Sequence, residues 1–297
     1  MNIILQKLHD KSEKYVEEAV RNISENYEKP ADLEEAFDLE YYDEKGKKLS
    51  ADMYRPADQN GRLLPVVIFI HGGGFFSGNK RNNRFFCENL SRMGYVVYSV
   101  EYRLIVEANG LEEISDICNA FEFVKQNAKE HGGDLSQVFV LGESAGACLA
   151  LYTTAMTRCR QLREQLNLRV PDIQVKGLIC SSGMFYPAGK DLIGMVYKKD
   201  LYGDRIKNKE FMDLMNPENS MLIKSLPPVF IISSRGDFLR NYSLRYAKKL
   251  EEEGHPVKLV YYKDSKHLRH AFATLAPFLP ESAEVMGMLR EWADTIE

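Results

Sequence analysis

An apolar run that stops at a serine between two glycines, and then resumes as a helix, constrains the fold of this chain more than any other feature. The stretch VFVLGESAGACLALYTTAM begins at Val138 and places Ser144 at the centre of GESAG. The apolar residues before the corner predict a buried strand, and the spacing after it predicts a helix. Glycines on both sides of the corner let strand and helix approach closely and expose the serine hydroxyl. The alternative is an ordinary tight turn that contains a serine.

Further short apolar runs predict the rest of a parallel sheet. Continuous apolar runs of this kind are typical of strands buried on both faces. They are VVIFI after Pro65, YVVYSV, VKGLICS, PVFIIS and VKLVYY. Helical patterns lie between them, at 80–93 and in LEEISDICNAFEFVKQNAKEHGG. This alternation predicts an α/β fold with a mostly parallel central sheet and helices on both faces. Upstream, FDLEYYDEKGKKLSADMYRP predicts an antiparallel hairpin that turns at Lys45-Gly46.

Two segments do not follow this alternation. Residues 1–34 predict a charged, amphipathic N-terminal helix that ends near Pro30. Residues 184–226 form a long connection without a clear strand pattern, and such connections are typical of lids and binding loops. We therefore expect one large α/β domain over 35–297, with a small helical cap inserted at about 184–226 that the N-terminal segment can join.

Composition argues against several classes of function. The net charge is −4 and no long basic run is present, which argues against nucleic-acid binding. No apolar run approaches the roughly 18 residues of a membrane span, and the first residues lack the pattern of a secretory signal. Five cysteines without CxxC spacing indicate reduced thiols in a cytoplasmic protein. Six scattered histidines without HExxH give no sign of a metal site, so we expect neither metal nor cofactor. The composition does not exclude a homo-oligomer.

Other chemistry-bearing residues also follow predicted strands. The HGGG stretch at 71–74 follows VVIFI, and its uncovered backbone N–H groups can face an anionic oxygen. Its spacing is neither GxGxxG nor GxxxxGK[ST], which argues against a nucleotide site. Asp237 follows PVFIIS, and His267 and His270 follow VKLVYY. The order Ser144, Asp237, His270 is that of nucleophile, acid and base on such a sheet. The alternative for Asp237 is a helix N-cap, and one of the two histidines must be a solvated loop residue.

Five motifs together resemble the hormone-sensitive-lipase-like branch of the α/β-hydrolase family, from about residue 35 to the C-terminus. They are HGGGFFSG, VEYRL, GESAG, SSRGDFL and HAF. The resemblance implies that Ser144 attacks an ester carbonyl, and that backbone N–H groups hold the oxyanion. By motif, those donors are Gly73, Gly74 and Ala145.

The resemblance also separates the two histidines. It favours His270 over His267, because His270-Ala271-Phe272 is similar to the family's HGF-like motif. Two positions depart from the family pattern: Glu143 stands where aspartate is common, and Ile105-Val106 follows YRL in place of an alanine–proline pair.

The sequence therefore predicts a serine hydrolase that cleaves carboxylic esters through an acyl-enzyme. The 184–226 segment carries seven positive and six negative side chains, which predicts a solvated cap and small or short-chain acyl groups. Two rivals remain. One is a catalytically inactive ligand-binding protein on the same fold, and the other is a serine peptidase of related fold, for which no amine-binding motif stands out.

Overall fold

The computed structural model describes residues 31–44 and 47–296. The proposed N-terminal helix and the turn at Lys45-Gly46 lie outside the described residues. Strands β1 (Leu33–Glu44) and β2 (Lys47–Pro56) pair antiparallel, with Leu33 opposite Pro56 at one end. The antiparallel strand pair predicted from FDLEYYDEKGKKLSADMYRP is therefore present. Strand β2 buries four consecutive residues, Ala51 to Tyr54, so both of its faces are covered there.

The hairpin forms one edge of an eight-stranded sheet with the order β1-β2-β4-β3-β5-β6-β7-β8. Strand β2 pairs antiparallel with β4, and all pairs from β4 to β8 are parallel. The remaining strands are β3 (Leu64–Ile70), β4 (Val96–Val100), β5 (Gly133–Glu143), β6 (Val175–Ser181), β7 (Val229–Ser234) and β8 (Val257–Tyr262). The mostly parallel sheet predicted from the sequence is confirmed.

Helices cover both faces of this sheet. They are α1 (Arg84–Arg92), α2 (Gly110–Asn127), α3 (Ala145–Arg158), α4 (Arg160–Leu166), α5 (Leu192–Tyr202), α6 (Lys209–Leu214), α7 (Ser220–Lys224), α8 (Arg240–Glu252), α9 (Phe272–Leu275) and α10 (Pro280–Asp294). A short 3₁₀ helix, Gly203–Lys207, separates α5 from α6. Among the described residues, none of these helices is long and apolar enough to span a membrane.

The core has two halves because side chains of a strand alternate between the faces of the sheet. In β3, Val66, Ile68 and Ile70 point to the half that holds helices α2, α3 and α8. Val67 and Phe69 point to the other half, which holds α1 and α10. Both faces of the central strands are therefore buried, which explains why their sequences are continuous apolar runs.

The long connection between β6 and β7 is largely helical. It contains α5, the 3₁₀ turn, α6 and α7, each short and most with an asparagine or aspartate as N-cap. Asp191 caps α5 by accepting a hydrogen bond from Gly194 N–H at 2.9 Å. Tyr197 of α5 stacks on Phe76 with ring centroids 6.0 Å apart, so this segment contacts the loop that follows β3.

Helix bounds differ from the sequence prediction at two places. The helix expected over 80–93 begins at Arg84, because the preceding residues form turns. The helix predicted in LEEISDICNAFEFVKQNAKEHGG begins one residue before that stretch, at Gly110, and its N-cap is Asn109. Its side chain accepts from the N–H of Glu112 at 3.2 Å, and Glu112 Oε2 accepts from the Asn109 N–H at 2.8 Å. This reciprocal pair is a capping box.

Candidate active site

Ser144 lies at the sharp corner between β5 and α3, in a backbone conformation that few serines adopt. Its φ is 51° and its ψ is −114°. Two backbone hydrogen bonds hold the corner, each at 2.9 Å. The Ser144 N–H donates to the Ser181 carbonyl, and the Ser144 carbonyl accepts from the Met184 N–H. Such strain at a functional corner persists only where surrounding structure fixes it.

The glycines of GESAG are required by close packing. A Cβ at Gly142 would lie 2.5 Å from the Cα of Ala147, and one at Gly146 would lie 2.2 Å from the carbonyl oxygen of Ile70. Any side chain at either position would push helix α3 away from the sheet. The sequence interpretation of this corner as a strand followed at once by a helix is confirmed.

The structure brings the three predicted side chains together although they are far apart in sequence. His270 Nε2 lies 2.9 Å from Ser144 Oγ, and His270 Nδ1 lies 2.7 Å from Asp237 Oδ1. With its proton on Nδ1, the imidazole donates to the carboxylate and accepts from the serine hydroxyl. This tautomer leaves a nitrogen ready to take the serine proton, which is the geometry a general base requires.

Asp237 is buried behind the histidine and is held from three sides. Its carboxylate accepts from the Ser233 hydroxyl and from the Leu239 N–H, both at 2.8 Å, in addition to His270. Burial opposes ionisation, but the hydrogen bonds and charge of His270, with those other donors, outweigh it and hold the Asp237 pKa below its usual value. The carboxyl is therefore a permanent anion at neutral pH.

The lowered pKa of Asp237 makes stability depend on pH. The unfolded carboxyl binds protons more readily than the folded one, so its stabilising contribution is complete above the unfolded pKa of about 4. It is lost as the pH falls through the lower folded pKa. We expect the melting temperature of the wild type to fall more steeply below about pH 4 than that of Asp237→Asn. Melting curves of both proteins across this range test this, and parallel curves would contradict it.

The second candidate histidine lies away from the serine. His267 is 65 % exposed, and its Nε2 lies 3.1 Å from Glu281 Oε1 at the surface. Sequence reasoning did not identify Phe238, whose ring contacts His270. The centroids of the phenyl and imidazole rings are 4.2 Å apart. Phe238 is 64 % exposed. Its sequence signals were its position directly after Asp237 and its place in the SSRGDFL motif.

The HGGG loop after β3 has the geometry expected of a loop that presents backbone N–H groups. Gly73 has a φ of +116°, and a Cβ there would lie 1.9 Å from the Ser77 carbonyl oxygen. Gly74 has a φ of +62°. Only glycine fits these two positions without rebuilding the loop. Ala145 is the first residue of α3, so its N–H has no acceptor within the helix.

His71 supports the loop from beneath. It is fully buried, its ring stacks on Tyr102 at 4.3 Å, and its Nε2 lies 3.2 Å from Glu101 Oε1. The Tyr102 hydroxyl donates to the His71 carbonyl at 3.0 Å. These contacts fix the first residue of HGGG and so help to shape the loop.

Glu143 connects three parts of the site. Its carboxyl is buried, accepts from Asn83 Nδ2 at 2.6 Å and also accepts from the Thr274 hydroxyl. Burial raises the Glu143 pKa, although both hydrogen bonds favour the charged form. Asn83 lies just beyond the HGGG loop and Thr274 just beyond His270, so Glu143 links both loops to the nucleophile corner.

A cavity of about 950 Å³ opens onto Ser144 and His270. Its walls are mainly apolar, and part of the roof comes from the 184–226 segment. The roof residues are Met184, Leu192, Ile193, Val196 and Tyr197. This volume is that of a small-molecule site. Within the described ranges, no three His, Cys, Asp or Glu side chains are grouped as metal ligands would be.

A profile of the alpha/beta hydrolase fold family matches residues 67–271, which is more than half of the chain. The chain belongs to this family. The hydrolase fold class and the hormone-sensitive-lipase-like resemblance drawn from the motifs are thereby confirmed.

Several relatives with assigned names are esterases. The chain is 24% identical over 232 residues to a probable isoprenylcysteine alpha-carbonyl methylesterase of Arabidopsis thaliana, covering 73% of this chain and 48% of that protein. It thus spans about half the length of that relative. It is also 24% identical over 264 residues to an ethyl acetate hydrolase of Pseudomonas putida, covering 86% and 80% of the two chains. Among solved structures, esterase B from Lactobacillus rhamnosis superposes with a TM-score of 0.83 at 22% identity, covering 99% of this chain and 96% of that one.

Proposed function

We propose that the protein is a serine carboxylesterase, with Ser144 as nucleophile, His270 as base and Asp237 as the acid that orients it. The observation that carries the proposal is the continuous chain of contacts from Asp237 through His270 to Ser144 Oγ, at 2.7 and 2.9 Å, on the wall of an apolar cavity. The esterases among its relatives support the same reaction class.

In the proposed acylation step, His270 Nε2 takes the hydroxyl proton as Ser144 Oγ attacks the ester carbonyl carbon. Asp237 stays ionised and stabilises the imidazolium that forms. The tetrahedral intermediate then collapses: the carbon–oxygen bond to the alcohol breaks, and His270 returns the proton to the leaving oxygen. The acyl group remains on Ser144.

In the proposed deacylation step, water replaces the alcohol. His270 removes a proton from the water as its oxygen attacks the acyl carbon, and the acid departs as Ser144 Oγ regains the proton. Neither step involves oxidation or reduction.

The oxyanion of both intermediates needs donors, and we propose the N–H groups of Gly73, Gly74 and Ala145. The N-terminus of α3 adds a favourable dipole at the same place. Each such donor typically contributes a factor of about 10² to 10³ in rate.

Covalent labelling separates this proposal from its rivals. A fluorophosphonate probe phosphonylates a serine only when a neighbouring base activates it, so an inactive binding protein on the same fold stays unlabelled. Labelling together with hydrolysis of p-nitrophenyl acetate supports the esterase. Labelling with cleavage of peptide amides but not of esters would instead favour the peptidase.

We also propose that small and short-chain acyl groups are preferred. The cap segment is charged over most of its length, but the structure adds exposed apolar side chains that its composition did not indicate: Leu192 is 79 % exposed and Met195 is exposed nearby. A roofed cavity gains about 0.8 kcal/mol for each added methylene only while room remains to bury it.

The chain-length preference is measured with p-nitrophenyl esters from acetyl to palmitoyl. We expect kcat/KM to be highest between acetyl and hexanoyl, with no increase in rate once substrate exceeds its solubility. A steady rise through palmitoyl, or a surge at an oil–water interface, would mean that Leu192 and Met195 belong to a lipid-binding lid.

We propose a cytoplasmic location on the evidence of the thiols. All five cysteines are free and buried, and burial raises the pKa of Cys118 to about 12. A set of unpaired, unreactive thiols is typical of a reducing compartment. Fractionation of cells that express the protein tests this.

A further inference from the structure

The cavity above Ser144 has few charged side chains in its described lining. Its described lining contains two cations, Lys266 and Arg269, and one acid, Glu143. Glu143 is committed to Asn83 and Thr274 and lies buried in the wall. The edge of the cavity that carries the two cations therefore has no carboxylate of its own to balance them.

Neither cation is engaged elsewhere in the described part of the chain. No ion pair, side-chain hydrogen bond or ring contact among residues 31–44 and 47–296 includes the ammonium of Lys266 or the guanidinium of Arg269. Both side chains are exposed, so they reach solvent at the cavity mouth. Some other surface cations do have acidic partners, as Arg245 has in Glu218.

The backbone beneath the two cations is fixed by close contact with the end of β7. A Cβ at Gly236 would lie 2.4 Å from the carbonyl oxygens of both Lys266 and Leu268. The Ser234 hydroxyl donates to the Leu268 carbonyl, and Gly236 and Arg269 form an isolated parallel bridge. The loop is thus held against the sheet while the two side chains extend from it.

The loop that carries the two cations also carries the base, His270, and all three residues line the cavity. Arg269 directly precedes His270, and Lys266 lies on the same loop. His270 Nε2 must reach the departing alcohol oxygen to protonate it, so the alcohol part of an ester stands on the histidine side of Ser144. By this adjacency we assign the two cations to the alcohol side of the cavity.

We propose that Lys266 and Arg269 form a subsite for an anionic group on the alcohol part of the substrate. The preferred substrates are then short-chain esters of alcohols or phenols that carry a carboxylate or another anion. The inference rests on the proposed esterase function and specifies its substrate class.

The test compares two phenyl acetates of nearly the same shape, 4-acetoxybenzoate and the neutral 4-acetoxybenzamide. The quantity measured is kcat/KM on the benzoate divided by kcat/KM on the benzamide. Comparing this ratio between the wild type and a variant cancels the intrinsic reactivity of the two esters and any general damage to the enzyme. Exposed ion pairs each contribute a factor of about two to five. We expect the double variant Lys266→Gln/Arg269→Gln to lower the ratio by about three- to tenfold.

A matched control removes a charge from the same loop outside the cavity. Lys263 is exposed and does not line the cavity, so Lys263→Gln should leave the ratio within about 1.5-fold of wild type if only local charge matters. Raising the salt concentration from 0.05 to 0.5 M should lower the wild-type ratio, because exposed charges are screened.

Three results would overturn the subsite. The first is an equal ratio in the wild type and the double variant, and the second is an equal fall in the Lys263→Gln control. The third is a charge preference confined to the acyl side, seen when 4-nitrophenyl hemisuccinate is compared with its methyl ester. Failure of the esterase proposal looks different, because then neither acetate is hydrolysed and no fluorophosphonate label is incorporated.

Discussion

Ser144→Ala should reduce ester turnover by roughly four to six orders of magnitude, because a nucleophile, base and acid that act as one unit lose nearly all their effect together. The fold should survive. Alanine at this position carries about the same backbone strain as serine, and the hydrogen bonds that hold the corner use only the backbone of Ser144. The measurements are kcat on p-nitrophenyl acetate, fluorophosphonate labelling and the melting temperature.

Ser181→Ala is the matched control for that substitution. Ser181 ends the neighbouring strand β6, its hydroxyl is buried without a hydrogen-bond partner among the described residues, and its backbone contact with Ser144 is unaffected by the change. Turnover within a few-fold of wild type is expected for this variant. A folded Ser144→Ala protein that still hydrolyses esters near the wild-type rate would show that another nucleophile is used.

The second large effect separates the two histidines. His270→Ala should reduce turnover about as severely as Ser144→Ala, since His270 contacts both Ser144 and Asp237. His267→Ala should stay within a few-fold of wild type because His267 pairs with Glu281 at the surface. Rates for both variants over a range of pH, with melting temperatures as the check on folding, give the comparison. Activity in His270→Ala and its loss in His267→Ala would reverse the assignment.

The parts of this fold that the sequence predicted are those governed by local rules. Continuous apolar runs identified the central strands because burial on both faces leaves no position for a polar residue. The GESAG corner was predictable because the clashes at Gly142 and Gly146 exclude every larger side chain. The position of His270 depended on the family resemblance, since spacing alone treats it and His267 alike.

Other features depend on contacts between distant segments, and these could not be predicted. The strand order, in which β4 lies between β2 and β3, follows from how the chain returns to the sheet and leaves no local signal. The contact of Phe238 with His270 and the placement of Lys266 at the cavity edge are of the same kind. The start of helix α2 does carry a local signal, because Asn109 followed three residues later by Glu112 is the pattern of a capping box.

The contacts of the Glu143 carboxyl bear on when, during folding, the protein becomes active. It joins Asn83 across 60 positions of the chain and Thr274 across 131. The serine corner and the histidine loop lie within the segment between these two contacts, and the HGGG loop lies just before it. A fragment that contains all three must run from residue 71 to residue 270, and the three align only once β5 has paired with β3 and β6. Competence to hydrolyse an ester should therefore return during refolding only with the last cooperative step, so that turnover itself reports the population of completely folded molecules.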